Sequence, residues 1–141
     1  MNTTPKHWAY QYIGKPWVSG ARGPDQFDCW GFVYWVCKTH LGIEIPEYAG
    51  TEVDAEDPLC VARALREIGR SAGSHNWVPV QIPTQDCTVA MGGVEQYTHV
   101  GIYVNIDGGL ILHCSRQGVV ATSERALRTH GFQHIVYFQH Q

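Results

Sequence analysis

Residues 27–37 read Phe-Asp-Cys-Trp-Gly-Phe-Val-Tyr-Trp-Val-Cys, and the fold is arranged around this stretch. Its apolar residues recur at helical spacing as far as Leu41, which predicts one helix with one buried face. Asp28 is a suitable N-cap, because a short acidic side chain accepts hydrogen bonds from the unpaired N–H groups of a first turn. Gly42 is the stop signal. The stretch therefore predicts a helix from Cys29 to about Leu41.

Cys29 occupies the first turn of this helix. The positive end of the helix dipole favours a thiolate there, so we expect a lowered pKa for the Cys29 thiol. The alternative is a small buried hydrophobic residue, which is how many free cysteines behave. The choice between them depends on the chemistry that the rest of the chain brings to the helix start.

The composition is that of a globular protein. Of 141 residues, 44% are hydrophobic and 16% are charged, which predicts a single domain spanning residues 1–141. The formal net charge of −3 gives no electrostatic reason to expect nucleic acid or an anionic membrane as partner. No apolar run reaches the roughly 18 residues that a membrane-spanning helix needs. We therefore expect neither nucleic acid nor a membrane among the partners.

The N-terminal residues and the cysteines indicate where the chain is made. Residues 1–7 lack the apolar stretch of a secretory signal, so we expect synthesis in the cytoplasm. The five cysteines, at 29, 37, 60, 87 and 114, contain no Cys-x-x-Cys pair. This spacing predicts neither a disulfide framework nor a cysteine-rich zinc site, and most of the cysteines are expected to be core residues.

The remaining elements follow from turn signals and periodicity. Thr4-Pro5 predicts the start of a short helix that ends at Gly14, and Asp57-Pro58 opens a second helix with one apolar face. From Trp77 onwards the pattern is that of strands, with a short helix beginning at Ser123. The predicted strands lie near residues 77–82, 87–91, 98–104, 109–115, 118–121 and 133–139. This order predicts an α+β fold, with N-terminal helices packed on a central antiparallel sheet of about five to six strands.

Two of these strands carry histidines that a hairpin would bring together. They are joined by an Asn-Ile-Asp-Gly-Gly segment, which is strong turn material. A turn centred on Ile106 pairs His99 with His113, and directly opposed residues have Cβ atoms about 4.5–5.5 Å apart. Gly101 lies on the same face, and a glycine inside a strand often marks the close approach of another backbone. We expect the helix that begins at Cys29 to lie there.

A cysteine, a histidine and a third polar group form the layout that nucleophilic thiol catalysis requires. The thiolate attacks, an imidazole takes and returns the proton, and the third group orients that imidazole. A single histidine in a strand is more often a core or surface residue, whereas two that pair across a hairpin are a stronger signal of function. The other histidines (7, 40, 75, 130, 134 and 140) have no such partner and are predicted to be surface or helix-end residues.

Several segments together resemble the NlpC/P60 family of papain-like cysteine peptidases. They are Gly-Lys-Pro-Trp-Val-Ser-Gly from residue 14, Phe-Asp-Cys-Trp-Gly-Phe-Val from residue 27, His-Val-Gly-Ile-Tyr-Val from residue 99, and Leu-His-Cys-Ser from residue 112 followed by Gly-Val-Val. The similarity spans roughly residues 8–121, with the motifs in the family's order. The resemblance implies a papain-like fold, with Cys29 as nucleophile, His99 as base and His113 as the third, orienting member.

The chain departs from the family pattern in two places. It has Trp17 where the family often has tyrosine, and an indole N–H donates a hydrogen bond but accepts none. The segment Pro-Thr-Gln-Asp-Cys, which ends at Cys87, stands where the family commonly has Pro-Gly-Asp. Asp86 matches the family's aspartate, whereas the family's glycine has no counterpart here. Trp17, Asp28 and Trp30 are candidates for substrate contact, with simple packing as the alternative for the two tryptophans.

The resemblance also implies a substrate and a setting. Family members cleave bacterial cell-wall peptides, usually at the amide between D-glutamate and a diamino acid such as diaminopimelate in the peptidoglycan stem peptide. No cofactor is implied. A domain that opens with Trp-Ala-Tyr-Gln-Tyr-Ile-Gly-Lys-Pro-Trp is similar to NlpC/P60 proteins encoded among phage and prophage tail genes. We therefore expect a protein made in the bacterial cytoplasm without a signal peptide, associated with the virion tail and acting at the cell wall. Other tail-tip proteins would then be its partners.

Three alternatives stay open. The protein could be a non-catalytic phage tail assembly or structural module that keeps the fold. Cys29, His99 and His113 could instead bind a metal ion, although Cys114 follows His113 directly and strand alternation turns it to the other face. That leaves three ligands without an evident fourth. The thiol could also transfer acyl groups to or from lipids, for which the sequence offers no membrane-binding stretch.

Overall fold

The computed structural model describes residues 7–45, 76–93 and 97–141. Its strands are β1 (Trp77–Val80), β2 (Thr88–Gly92), β3 (Tyr97–Val104), β4 (Leu110–Ser115), β5 (Gly118–Thr122) and β6 (His134–His140). They form a six-stranded sheet in the order β1-β6-β2-β3-β4-β5. Each neighbouring pair of strands is antiparallel.

The strand predictions agree with the structure. Each observed strand begins and ends within two residues of its predicted limits. The α+β prediction with a central antiparallel sheet of about five to six strands is confirmed. Alternation explains why the strands could be predicted. In β2, for example, Val89 and Met91 are buried, whereas Thr88 and Ala90 are only half-buried.

The helix predicted from the opening stretch is present. α1 spans Cys29–Val36 and continues as a π-helical turn, Cys37–Leu41. The Asp28 side chain accepts a hydrogen bond from the Gly31 N–H at 2.7 Å, which confirms its predicted role as N-cap. Gly42 follows with a φ of 66°, a left-handed conformation that glycine adopts at low cost. Both predicted ends of this helix are therefore confirmed.

The N-terminal helix ends before the predicted Gly14. Its described part is a 3₁₀ helix, Trp8–Gln11, and the His7 ring caps it by accepting a hydrogen bond from a backbone N–H. The predicted start at Thr4-Pro5 lies outside the described residues. The same is true of the helix predicted from Asp57-Pro58.

α2, Glu124–Thr129, is the short helix predicted to begin after Ser123. The Ser123 side chain accepts a hydrogen bond from the Ala126 N–H and caps the helix. The hydroxyl of Tyr137 in β6 donates to Glu124 at 2.7 Å and ties α2 to the sheet. Within the described ranges, no helix is long and apolar enough to cross a membrane.

The sheet carries a hydrophobic layer on each face. On the first face α1 packs on β3 and β4, and the buried residues of this layer include Phe32, Val36, Val100, Ile102 and Leu112. On the second face α2 covers the sheet, and the buried residues include Val89, Met91, Ile111, Leu127 and Tyr137. Alternate residues of a strand point to opposite faces, so β3 and β4 contribute to both layers.

The turn between β3 and β4 differs from the prediction. Val104 pairs with Leu110, which centres the loop on Asp107 rather than on Ile106. Residues 107–109 have positive φ values of 51°, 83° and 109°, so the Asp-Gly-Gly part of the segment makes the turn. The predicted register is therefore wrong, because the turn lies one residue further along the chain.

The shifted register changes the partners of the two histidines. His99 pairs with Met91 of β2, and His113 pairs with Val120 of β5. The prediction that His99 lies directly opposite His113 is wrong. Because the register on β4 moves by two residues, both imidazoles nevertheless remain on one face of the sheet, at diagonal positions.

The predicted place of α1 on the histidine-bearing face is also wrong. α1 packs on the first face, because that is where Val100, Ile102 and Leu112 bury their apolar side chains. The backbone that approaches Gly101 belongs to β4: a Cβ at this position would lie 2.6 Å from the Leu112 carbonyl oxygen and 3.2 Å from the His113 Cβ. The glycine thus makes room for the strand that carries His113.

Candidate active site

Cys29 differs in exposure from the other described cysteines. Cys37, Cys87 and Cys114 are core residues, at 0%, 1% and 0% exposure, as predicted for most of the cysteines. Cys29, the first residue of α1, is only half-buried and is also a free thiol. It is therefore the described cysteine that is partly open to solvent.

The Cys29 sulfur lies where β3 and β4 separate. Pairing between these strands ends at Ile102, and the N–H of Val100 donates to the sulfur of Cys29 instead. The Trp30 N–H, in the first turn of α1, donates to the same sulfur. Because Val100 directly follows His99, the sulfur lies beside the peptide group next to the predicted base.

α1 lies on the first face, whereas His99 and His113 lie on the second, and the Val100 N–H that donates to the Cys29 sulfur belongs to the backbone of β3. Among the described residues, no direct hydrogen bond joins the sulfur to either imidazole. Such catalytic contacts are often long before substrate binds and shorten in the complex.

The resting thiol is neutral. Burial raises the pKa of Cys29 to about 12, and the adjacent Asp28 carboxylate contributes in the same direction. The N–H groups of Trp30 and Val100 and the guanidinium of Arg22 lower the pKa, but they do not outweigh burial. The prediction that the helix start lowers the pKa of this thiol is therefore wrong, because desolvation disfavours the thiolate more than the helix end favours it.

His99 and His113 form a buried pair. His99 Nε2 and His113 Nδ1 are 2.9 Å apart, and the rings meet edge to face with centroids 4.9 Å apart. Burial lowers the pKa of His99 to about 3, with a further contribution from the charge of His113. Burial likewise lowers the pKa of His113 to about 4. Both imidazoles are neutral at pH 7. Because Nε2 of His99 is bonded to His113, Nδ1 is the ring nitrogen of His99 that can accept a proton from a thiol.

Two residues that the sequence did not single out surround this pair. Thr122, the last residue of β5, places its Oγ1 3.0 Å from His113 Nε2. Phe132, just after α2, stacks on His99 with centroids 5.7 Å apart and planes at 24°. Residue type and spacing carried no signal for either, because their proximity to the histidines depends on strand register and on the path of the chain after α2.

Asp28 holds the start of α1 against the preceding loop. Its Oδ1 accepts hydrogen bonds from Gly31 N–H at 2.7 Å and from Arg22 Nη1 at 2.9 Å, and its Oδ2 accepts from Gly20 N–H at 3.0 Å. The residue is buried. The predicted substrate contact of Asp28 is not supported, because donors within the protein engage both carboxylate oxygens. These bonds fix the residue that directly precedes Cys29.

The two candidate tryptophans are half-buried and pack against the layer of α1. Trp17 pairs with Phe27 in an isolated bridge, two residues before Cys29. The Arg116 guanidinium carbon lies 5.3 Å from the centroid of the Trp17 ring, in a cation–π contact. Trp17 and Trp30 thus flank the cysteine in a way that suits either packing or a cleft wall, and their contact with substrate stays a prediction.

The described residues do not support the metal alternative. Within them, no group of three or more His, Cys, Asp or Glu side chains is arranged to hold a metal ion. Cys114 belongs to the layer of α1, on the face opposite His113, as strand alternation predicted. Its sulfur donates to the Phe27 carbonyl oxygen at 3.3 Å.

Comparison with known proteins agrees with the order of the motifs and with the fold. The sequence profile of the NlpC/P60 family matches residues 14–137. The chain belongs to the NlpC/P60 family. A similar solved structure is the crystal structure of the NlpC/p60 domain of the peptidoglycan hydrolase SagA, with a TM-score of 0.56 and 26% sequence identity. The match covers 84% of this chain and 85% of that chain. No curated protein matches.

The fold is the papain-like fold of NlpC/P60 domains, with a six-stranded antiparallel sheet and few helices. The resemblance read from the sequence is therefore confirmed at the level of family and fold. The catalytic roles of Cys29, His99 and His113 stay predictions.

Proposed function

We propose that this NlpC/P60 protein is a cysteine peptidase that hydrolyses an amide bond in peptidoglycan stem peptides. The observation that carries the proposal is the arrangement where β3 and β4 separate. Cys29, a half-buried residue, accepts a hydrogen bond at its sulfur from the peptide N–H that follows His99, and His99 is hydrogen-bonded to His113 at 2.9 Å. Family membership and the likeness to a domain of a peptidoglycan hydrolase support the cell wall as the source of substrate.

The neutral resting groups define the first chemical step. As the Cys29 sulfur attacks the substrate carbonyl carbon, its S–H bond breaks, and Nδ1 of His99 takes the proton. The resulting imidazolium donates from Nε2 to His113 Nδ1 across the 2.9 Å contact. The backbone N–H of Cys29, at the helix start, is one donor to the developing oxyanion. His99 then protonates the leaving amine, and water hydrolyses the thioester.

Within this class of reaction we place the cleavage between D-glutamate and the following diamino acid, the bond usual for the family. Synthetic stem peptides of known sequence test this placement when their products are identified by mass. The expected products are one fragment that ends in D-glutamate and one that begins with the diamino acid. A matched peptide with L-glutamate is expected to stay intact. An uncleaved D-glutamate peptide, with a folded protein, would contradict the proposal. Cleavage at another amide would contradict the assignment of this bond.

One observation favours a second candidate function. Among the described residues no hydrogen bond joins the Cys29 sulfur to either imidazole, and a thiol without such a partner also suits a phage tail assembly module that has no turnover. Such a module would keep the NlpC/P60 fold for packing alone. Turnover of a stem peptide decides between the two candidates.

We further propose that the protein acts as a component of a phage or prophage tail. The support is the similarity of its opening segment, residues 8–17, to tail-encoded members of the family. Mass spectrometry of virions produced by the host tests this placement. The protein is expected at a constant ratio to known tail proteins, and its absence from intact virions would contradict a tail role.

A further inference from the structure

The hydroxyl of Thr122 lies on the far side of His113 from His99. Thr122 pairs with Ile111 across β4 and β5, and Ile111 stands two residues before His113 on β4. Thr122 therefore shares a sheet face with the imidazole and lies diagonal to it. Its Oγ1 is 3.0 Å from His113 Nε2, so that His113 has one ring nitrogen on His99 and the other on a hydroxyl.

Proton positions in the reacting state determine the direction of these two hydrogen bonds. Once His99 has taken the proton of Cys29, both of its ring nitrogens carry hydrogen, and Nε2 donates to His113 Nδ1. A neutral His113 that accepts at Nδ1 carries its own hydrogen on Nε2. That hydrogen points at Oγ1 of Thr122, which accepts it.

In the resting state the hydroxyl is less constrained, because it can donate or accept. If Thr122 donates to His113 Nε2, the hydrogen of His113 moves to Nδ1 and points at His99. His99 would then carry its own hydrogen on Nδ1, where it could not accept the thiol proton. Only one of the two arrangements is therefore competent for catalysis, and in it the Thr122 oxygen is an acceptor.

The burial of the two histidines makes the Thr122 acceptor important. His99 is 9% exposed and His113 is 5% exposed, so water has little access to their ring nitrogens. A buried N–H that loses its acceptor is costly. Removing the hydroxyl would therefore disfavour the form of His113 that supports a positively charged His99.

We propose that Thr122 is a positioning residue of the active site, whose hydroxyl oxygen holds His113 in the tautomer that allows His99 to take the proton of Cys29. The inference rests on the proposed function and extends it by one residue. Thr122 does not touch substrate. It acts through His113, and the chain of hydrogen bonds runs from His99 to His113 and Thr122.

Kinetics of three variants test the proposal on a soluble stem peptide. Thr122→Val keeps the shape and removes the hydroxyl, and we expect kcat to fall about five- to tenfold with KM unchanged. Thr122→Ser keeps the hydroxyl and is expected to retain kcat. Thr88→Val is the matched control, because among the described residues the Thr88 hydroxyl donates to the Phe138 carbonyl, on another part of the sheet, and its kcat is expected to be unchanged.

A double variant separates positioning from general loss of stability. In a His113→Ala background, Thr122→Val is expected to cause no further loss of kcat, because its effect passes through His113. The melting temperatures of all variants are measured alongside. Full activity of Thr122→Val, equal loss in Thr122→Ser, or an undiminished additional loss in the double variant would overturn the proposal.

Nitrogen NMR of ¹⁵N-histidine-labelled protein tests Thr122 without any turnover. In the wild type we expect a hydrogen on Nε2 of His113 and none on Nδ1, and in Thr122→Val we expect the Nδ1-protonated form to gain population. A wild type with the hydrogen on Nδ1 would overturn the proposal, even if Thr122→Val fails to fold. Should the wild type show no turnover, the proposed function fails, while this spectrum still decides the role of Thr122.

Discussion

Burial keeps the two groups that would exchange a proton in their uncharged forms. It raises the pKa of Cys29 to about 12 and lowers the pKa of His99 to about 3. A preformed thiolate–imidazolium pair would require shifts in the opposite directions. The thiol therefore becomes nucleophilic only as its proton moves to His99, and a thiol held in this way reacts slowly with oxidants and stray electrophiles between turnovers.

Alkylation measures this property of Cys29 directly. Because only the thiolate reacts, the rate of modification by iodoacetamide is expected to rise about tenfold per pH unit from neutral pH to beyond about pH 9. Peptide mapping by mass assigns the product to Cys29 rather than to the buried cysteines. A rate that levels off below about pH 8 would show a stabilised thiolate and would contradict the neutral resting pair.

At the scale of elements, the start of α1 is held by close contact with the loop before it. The Asp28 N–H donates to the Ala21 carbonyl oxygen at 3.2 Å, and Gly31 lies so close to that oxygen that a Cβ would overlap it. Arg22 adds an ion pair to Asp28 at 2.9 Å. The sulfur of Cys29 depends on these contacts for its place beside β3.

Gly31→Ala tests whether the position of Cys29 depends on this close contact at the start of α1. The added methyl group meets backbone rather than a movable side chain, so we expect a loss of about 1–3 kcal/mol in the free energy of unfolding. The activity is expected to fall by more than the unfolded fraction of the protein explains, because the helix start carries Cys29. Gly93→Ala is the matched control, since a Cβ there meets no atom of the described residues within 4 Å. Unchanged stability and activity in Gly31→Ala would contradict this account of the helix start.

Elements were more predictable than their packing. The strands and α1 follow from alternation, spacing and a capping side chain, all of which are local properties of the sequence. The register of the β3–β4 hairpin was missed, because Asn-Ile-Asp-Gly-Gly allows more than one turn centre and the positive φ values begin only at Asp107. The face that α1 covers was predicted from Gly101, but the backbone that approaches this glycine is that of β4.

At the scale of the whole molecule, the residues of the candidate site were predictable but their surroundings were not. Cys29, His99 and His113 stand in recognisable motifs. Thr122 and Phe132 reach the histidines only through the order of strands in the sheet and the path after α2. The pKa of Cys29 was misjudged for the same reason, because burial is a property of the folded chain.

The buried histidines make stability depend on pH. On folding, their pKa values fall from 6.5 to about 3 for His99 and about 4 for His113. At a pH between the unfolded and the folded pKa, the unfolded chain therefore binds protons that the folded chain does not. Stability is therefore complete above about pH 6.5 and is lost as the pH falls, by up to about 1.4 kcal/mol per pH unit for each group.

Urea unfolding at a series of pH values checks this linkage. His113→Asn cannot take up a proton at this position and is expected to lose less stability than the wild type between about pH 7 and about pH 4.5. His130→Asn, at an exposed histidine after α2, serves as the control and is expected to follow the wild type. Parallel curves for wild type and His113→Asn would contradict the buried neutral pair.

The most direct test of the central claim is the rate at which peptide fragments are released from purified peptidoglycan by the wild type, Cys29→Ala and Cys87→Ala. Cys87 is a buried free thiol opposite Tyr103, four residues along β3 from His99, so Cys87→Ala controls for loss of a cysteine as such. We expect release by the wild type and by Cys87→Ala, and none above background by a folded Cys29→Ala. Continued release by Cys29→Ala would contradict a thiol mechanism at this site.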